Sequence, residues 1–318
     1  MSDRLRVAVI GVGHLGQHHA RLLAAMAGVQ LVGVVDIKPE RAAAVAARVG
    51  TEAFTDAGAV VDRVDAVSIA VPTVSHVEVA LPFVERGIGA LVEKPLADSV
   101  EAADRLIEAA ARSGAVLAAG HTERFNPAVA AALPHVSRPR FVEVHRLAPF
   151  AERSLDIDVI FDLMIHDLDV LLAAVGSDIQ AVEAIGVNVL SPKTDIANVR
   201  LRFSCGCIAN LTASRISRER VRKARFFQRD SYVSIDYAAQ EVDVFRLVHP
   251  SGNGHGPAAR PVIEGGRLDV VREEPLAREL RDFVEAVRAR RSPAVTGQAG
   301  RDALALAARV ASAMGSSS

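Results

Sequence analysis

Residues 5 to 16 read Leu-Arg-Val-Ala-Val-Ile-Gly-Val-Gly-His-Leu-Gly, and the next apolar run, beginning at Val29, closes on Asp36. A β-rich run, three glycines, an Ala/Leu-rich run of helical period and a second apolar run ending in an acid leave little choice of fold. Gly11 permits the tight turn, Gly13 lets the main chain approach a pyrophosphate, and Gly16 lets helix and strand pack closely. The amides at the helix start then face the anion, with Val12, His14 and Leu15 completing the turn around it. Asp36, 20 residues past the third glycine, is placed to accept hydrogen bonds from an adenosine ribose. That favours NAD, because the 2′-phosphate of NADP would meet a negative charge. Lys38 and Arg41 stand close enough to offset the charge, so NADP stays open as an alternative. The competing reading, a bare strand-to-helix turn, lacks a reason for the acid.

The length of 318 residues suggests two domains, and with 50% apolar residues a large core is available. A net charge of −1 argues against a nucleic-acid surface, the basic stretch from Arg215 to Arg229 being local. No apolar run approaches the roughly 18 residues of a membrane span, and the N-terminus lacks a signal-peptide pattern. The expectation is a soluble, cytoplasmic protein that binds neither nucleic acid nor membrane. Cys205 and Cys207 read as strand residues sharing one face; two thiols cannot close a zinc site, and no metal is expected. His18 and His19 read as residues of a helix surface.

Strand and helix patterns alternate over the first 120 or so residues, which implies a doubly wound parallel sheet with helices on both faces. Strands are expected at 5–10, 29–36, 52–54, 66–71, 90–93 and 115–119. Helices are expected from Leu15, Pro39, Ser75 and Ser99, with Ser75 as a cap. Beyond residue 121 the pattern changes to strands at 141–147, 179–189, 196–203, 207–214, 226–228, 232–236 and 242–248, a largely antiparallel sheet. A helix over Asp162–Val175 interrupts them, Ser251–Gly266 reads as an exposed loop, and two helices near 275–290 and 298–314 close the chain. The expected domains are 1–121, binding a dinucleotide, and 122–318, binding substrate and mediating oligomerisation.

Three further signals carry chemistry. Val71-Pro72-Thr73-Val74-Ser75-His76 follows a central strand, on the side where ligands of such sheets lie, so Pro72 and His76 are candidates for cofactor contact; an ordinary loop is the alternative. Glu93-Lys94-Pro95 follows the next strand. A lysine pinned there is partly desolvated and can polarise a hydroxyl or take part in proton transfer; a plain surface lysine is the alternative. In Asp162-Leu-Met-Ile-His166-Asp167-Leu-Asp169, residues 162, 166 and 169 share one helical face. Asp162 can fix the tautomer of His166, leaving the other ring nitrogen to accept a proton from an alcohol. The alternative there is a dipole-complementing acid beside a solvated histidine.

Together with Gly120-His-Thr-Glu-Arg-Phe-Asn-Pro127 and the stretch from Pro275 to Phe283, these motifs resemble the Gfo/Idh/MocA oxidoreductase family over nearly the whole chain. The resemblance implies an N-terminal Rossmann domain and a C-terminal α/β domain with an open, mostly antiparallel sheet, through which members assemble as homodimers or homotetramers. It implies that Lys94 lies beside the nicotinamide, that Glu93 lies near its ribose, and that Asp162 and His166 bind substrate and transfer the proton. Whether Lys94 or His166 is the base is left open. Many members carry a glycine-rich stretch before the helix aspartate, where this chain has residues 154–161, Ser-Leu-Asp-Ile-Asp-Val-Ile-Phe. The run from His145 to Asp167 is instead similar to a subgroup acting on nucleotide sugars, oxidising C3 of a UDP-N-acetylglucosamine-like substrate. Arg146, Arg153, Arg215, Arg218 and Arg220 are candidates to neutralise its diphosphate, scattered surface arginines being the alternative. Oxidation of inositol or a free sugar, reduction of a non-sugar substrate, and non-catalytic dinucleotide or sugar sensing are the other functions to weigh.

Overall fold

A computed structural model describes residues 4–150, 157–248 and 260–315, which divide into two compact units. The first comprises residues up to Thr122 together with 274–305. Its strands are β1 (Leu5–Ile10), β2 (Val29–Val35), β3 (Glu52–Phe54), β4 (Ala66–Ile69), β5 (Gly89–Glu93) and β6 (Leu117–Gly120), and its helices α1 (Gly16–Ala25), α2 (Pro39–Val49), α3 (His76–Val84) and α4 (Val100–Ser113). The strands form one sheet in the order β3-β2-β1-β4-β5-β6, every neighbour parallel. The winding reverses between β1 and β4. In a doubly wound sheet that reversal is where a ligand lies, outside the carboxyl ends of the strands. The glycine turn, Asp36, Pro72 and Lys94 all follow carboxyl ends of β1, β2, β4 and β5.

β4 and β5 are buried at every residue, as strands covered on both faces must be, and this is why they read as continuous apolar runs. The helix expected from Ser99 is α4, and Ser99 caps it, its hydroxyl accepting from the Ala102 amide at 3.2 Å. Ser75 does not cap α3: a 3₁₀ turn over Thr73–Ser75 leads into the helix, and its side chain bonds no helix amide.

The second unit comprises residues 123–273 and those from Leu306 onward. After the short helix α5 (Pro127–Ala132) come β7 (Phe141–Leu147), a π turn over Ile160–Met164 that runs into α6 (Ile165–Val175), and then β8 (Ile179–Val187), β9 (Ile196–Phe203), β10 (Ile208–Ser214), β11 (Val221–Phe227), β12 (Ser231–Asp236), β13 (Glu241–Val248) and β14 (Val262–Arg267). Their order is β14-β13-β12-β11-β7-β10-β9-β8. All neighbours are antiparallel except β7 and β10, which run parallel. On β7 and β9 alternate residues are buried, the mark of a sheet with one covered face.

Several sequence expectations shift here. β11 starts at Val221, not Phe226, because Lys223 and Arg225 on its open face and Arg222 on the other masked the strand pattern. The expected loop 251–266 ends in an edge strand paired to β13; its first part lies outside the described residues. Cys205 and Cys207 do not share a strand face. A turn with Gly206 at φ 87° separates them, leaving Cys205 exposed and Cys207 buried.

The chain closes with α7 (Pro275–Ala289) and α8 (Gly297–Gly315). α7 returns to the first unit, beyond the expected boundary at residue 121. Its Leu280, Phe283 and Val284 join Val7, Val9, Leu23, Val34 and Leu91 in one core. Each fully buried side chain of that size stabilises by about 1.5–3 kcal/mol. Among the described residues no helix is long and apolar enough to cross a membrane, and none of the His, Cys, Asp and Glu side chains form a metal-holding group.

Candidate functional site

The glycine turn has the geometry its spacing implies. Gly11 sits at φ 84°, and a Cβ there would come within 2.8 Å of the Ala70 main chain. A Cβ on Gly16 would stand 1.8 Å from the Gly11 carbonyl oxygen, so only glycine allows α1 to start there. Above Gly13 the space is open: only the Arg41 side chain lies near, at 3.7 Å. No side chain caps α1, while the Gln17 and His18 amides are taken by the Gly13 and Leu15 carbonyls; a helix start without a side-chain cap is the kind of place where a dinucleotide phosphate can lie. His14 and Leu15 are exposed beside it, and the His14 ring meets His18 edge-on at 5.9 Å.

Asp36 is buried and held by main chain. Its Oδ2 accepts from the Val12 amide at 3.1 Å and its Oδ1 from the Lys38 amide at 3.0 Å. Oδ1 keeps a further lone pair for a ribose hydroxyl, while Oδ2 also accepts from Arg41. Arg41 approaches Oδ2 at 3.3 Å, placing one cation beside the acid that discriminates against a 2′-phosphate. These residues fit the adenosine half of NAD.

The second group follows β4 and β5. Pro72 is exposed at the head of the 3₁₀ turn. Lys94 is half-buried, and the Lys94–Pro95 bond is cis. His76 is buried, with Nδ1 2.8 Å from the Pro95 carbonyl and Nε2 3.0 Å from that of Val71. Burial lowers its pKa against the pull of those carbonyls. A neutral ring donates to only one of them, so His76 ties the turn after β4 to the Glu-Lys-Pro segment through one donated bond at a time.

Beneath Lys94 lies a group that sequence reasoning missed. His19 is not on the helix surface; it is fully buried. Its Nδ1 is 2.7 Å from Ser68 Oγ, and its Nε2 is 3.1 Å from Glu93 Oε1. The second contact is short, though its alignment is not that of an ideal hydrogen bond. Glu93 Oε2 accepts the Lys94 amide at 3.1 Å. Burial works against the Glu93 charge, but the His19 contact together with Lys94 prevails and holds the carboxyl below its usual range. A readable signal existed: Gly16, His19, Ala20 and Leu23 repeat at helical spacing and are the buried residues of α1.

In the second unit Asp162 lies in the π turn and His166 in the first turn of α6, both half-buried. Asp169, expected on their shared face, is buried, and its Oδ1 accepts from Arg124 at 3.2 Å. Burial prevails over that partner and pushes its carboxyl up to about 7. Asp167, which the pattern did not single out, receives a two-pronged bond from Arg146, Nε to Oδ2 at 2.6 Å and Nη2 to Oδ1 at 2.8 Å. Arg146 also donates to Glu123 Oε1 at 3.0 Å and lies over the Tyr237 ring. Burial raises the Asp167 pKa despite Arg146.

This removes two cations from the expected diphosphate set. Arg146 is consumed by Asp167 and Glu123. Arg215 is buried, 3.3 Å from Asp195 and donating to the Thr194 carbonyl at 2.8 Å. Arg218 and Arg220 are exposed, and Arg222 is half-buried with Glu123 at 3.9 Å. Arg153 lies outside the described residues.

An open phosphate-facing glycine turn and a ribose-ready acid on a doubly wound sheet define a dinucleotide-binding oxidoreductase. Residues 5–121 match the oxidoreductase family with an NAD-binding Rossmann fold, and residues 135–229 match the GFO/IDH/MocA C-terminal domain; the chain belongs to the Gfo/Idh/MocA oxidoreductase family. It is an NAD-binding oxidoreductase. It is 42% identical over 307 residues, 96% of each chain, to UDP-N-acetylglucosamine 3-dehydrogenase of Acidithiobacillus ferrooxidans. A solved structure of that enzyme superposes with a TM-score of 0.90 at 40% identity, covering 98% of both chains. Inositol 2-dehydrogenase of Rubrobacter xylanophilus is 34% identical over 202 residues, 60% of this chain and 58% of its own.

Proposed function

We propose that the chain oxidises a secondary hydroxyl of a nucleotide sugar, the C3 hydroxyl of a UDP-N-acetylglucosamine-like substrate, at the expense of NAD. The observation that carries this is the 42% identity to UDP-N-acetylglucosamine 3-dehydrogenase across 96% of both chains. The inositol dehydrogenases match only about 60% of this chain at lower identity.

NAD, when bound, accepts the hydrogen of the carbinol carbon with its electron pair. The work of the protein is to bind, orient and move the proton. Lys94 and His166 are the proton-handling pair in this reading. Lys94 polarises the hydroxyl as an ammonium or receives its proton as an amine, and His166, with its tautomer set by Asp162, takes the complementary role. Val12, Gly13, His14, Leu15, Asp36, Pro72 and Glu93 contribute to the cofactor site, and His76 supports it through the two loops it ties. Arg218, Arg220 and Arg222, not Arg146 or Arg215, are the cations for the substrate diphosphate. A homodimer or homotetramer in the cytoplasm completes the reading; the apolar side chains exposed on edge strands, Ile185, Val187, Val262 and Ile263, support assembly through the eight-stranded sheet.

The test is NADH formation over a panel of UDP-N-acetylglucosamine, UDP-glucose, N-acetylglucosamine and myo-inositol. Turnover confined to the UDP sugars, with the N-acetylated one preferred, is the expected result. Preferred turnover of inositol would overturn the reading, as would binding of a sugar without turnover of any.

A further inference from the structure

We infer that His19 is a positioning residue for Lys94: through Glu93, braced by Ser68, it fixes the main chain at Lys94 and keeps a negative charge beneath that lysine. The inference rests on the reading of Lys94 as the proton-handling amine.

Four observations converge on it. His19, Ser68 and Glu93 come from α1, β4 and β5, three elements of one unit, and none is more than 6% exposed. The contacts form a continuous series: Ser68 Oγ to His19 Nδ1 at 2.7 Å, His19 Nε2 to Glu93 Oε1 at 3.1 Å, and the Lys94 amide to Glu93 Oε2 at 3.1 Å. A carboxylate only accepts, so the ring must carry its proton on Nε2, and the Ser68 hydroxyl serves Nδ1. On its other side Glu93 is fenced by Gly120, where a Cβ would come within 2.9 Å of Glu93 Cα and 3.1 Å of Oε1. The carboxylate therefore has one seat, shaped by a missing side chain and filled by a charge.

A buried carboxylate without its partner takes up a proton instead. Glu93 is the residue before Lys94 and is electrostatically coupled to it. The ionisable groups facing Glu93 among the described residues are His19 from α1, His76 from the start of α3, and Lys94 itself. His76 acts from a distance, its own nitrogens being turned to the Pro95 and Val71 carbonyls. His19 is thus the group that keeps Glu93 ionised, and the Glu93 charge in turn favours the ammonium form of Lys94. Groups that orient a site residue from behind typically change activity about 10–100-fold when removed.

The experiment compares the full-length enzyme with His19→Leu, His19→Gln and Glu93→Gln. The Lys94 amine is titrated without substrate, by the pH dependence of its labelling with an amine-reactive reagent read by mass spectrometry. Turnover and the NAD dissociation constant are measured in parallel. In His19→Leu the Lys94 labelling midpoint should fall by about one pH unit and kcat by about tenfold or more, with NAD affinity held within about threefold. His19→Gln, which keeps a donor toward Glu93, should recover most of both. Glu93→Gln makes the same change of charge without altering shape, and it carries the titration if His19→Leu does not fold. An unmoved Lys94 midpoint in folded His19→Leu, or in Glu93→Gln, overturns the inference, as does a loss of kcat that His19→Gln does not restore. The labelling needs no sugar, so a wrong substrate assignment leaves this test intact.

Discussion

Each unit sets a buried carboxylate and its nitrogen partner directly beside a residue proposed to handle the proton, and the two contacts are built oppositely. In the first unit Glu93 precedes Lys94 and its partner is a histidine. In the second, Asp167 follows His166 and its partner is an arginine. Arginine keeps its charge at any pH a protein survives, whereas histidine changes charge in the physiological range. The difference extends to the acids. The surroundings hold Glu93 below its ordinary range, while burial raises both Asp167 and Asp169. Similar parts thus give one support that stabilises a charge and another that strains against it.

The largest effect should come from the lysine itself. Lys94→Met should lower kcat by roughly 10²–10⁴-fold, the range of general acid–base contributions, while NAD still binds. Retained turnover would dissolve the parallel between the two units, because only one would then carry a proton-handling residue.

Next comes the arginine pair. Arg146→Met leaves Asp167 buried without its partner and should cost about 3–5 kcal/mol in urea unfolding. Adding Asp167→Leu should restore a large part of that, since the isolated charge goes with it. A double variant no more stable than the single would show that Arg146 acts through Glu123 or the Tyr237 ring instead.

The third effect is in pH. Folded Asp169 keeps its proton up to about 7, whereas the unfolded carboxyl releases it near 3.8. Between these values the unfolded state holds fewer protons, so stability falls as pH rises across that window. Asp169→Asn should flatten this slope. Glu93 runs the other way: its contribution is present above the ordinary 4.5 and is lost as pH falls through its lowered folded value. A stability curve unchanged in Asp169→Asn would break the contrast.

The smallest effect sharpens the role of burial. Arg6 and Asp65 form the same two-pronged bond, at 3.2 and 2.7 Å, but with side chains 44% and 36% exposed. Asp65→Asn should cost only about 0–1 kcal/mol, against several for the buried Arg146–Asp167 pair of like geometry.

The sequence spoke most clearly where spacing and backbone chemistry coincide. Three glycines and an acid sufficed to place Gly11, Gly13, Gly16 and Asp36, because the backbone allows few alternatives there. The doubly wound sheet followed from strands that are apolar on both faces. What stayed hidden depended on partners far along the chain. Asp167 and Asp169 fall on different faces of α6, and nothing in the helical pattern shows that both are buried, one against Arg146 and the other against Arg124. β11 was half concealed because Lys223 and Arg225 charge its open face and the adjacent Arg222 breaks the alternation that marks a strand. His19 was legible in principle, on the buried stripe of Gly16, Ala20 and Leu23, but a histidine beside a histidine reads as solvated until Ser68 and Glu93 are seen around it.

The most direct measurement of the proposed reaction uses UDP-N-acetylglucosamine carrying deuterium at C3. With NAD and this enzyme, the deuterium should appear on the nicotinamide of the reduced cofactor, the sugar should become a 3-keto product, and Lys94→Met should abolish the transfer. Reduced cofactor without deuterium, or none at all while an inositol is oxidised, would contradict the account.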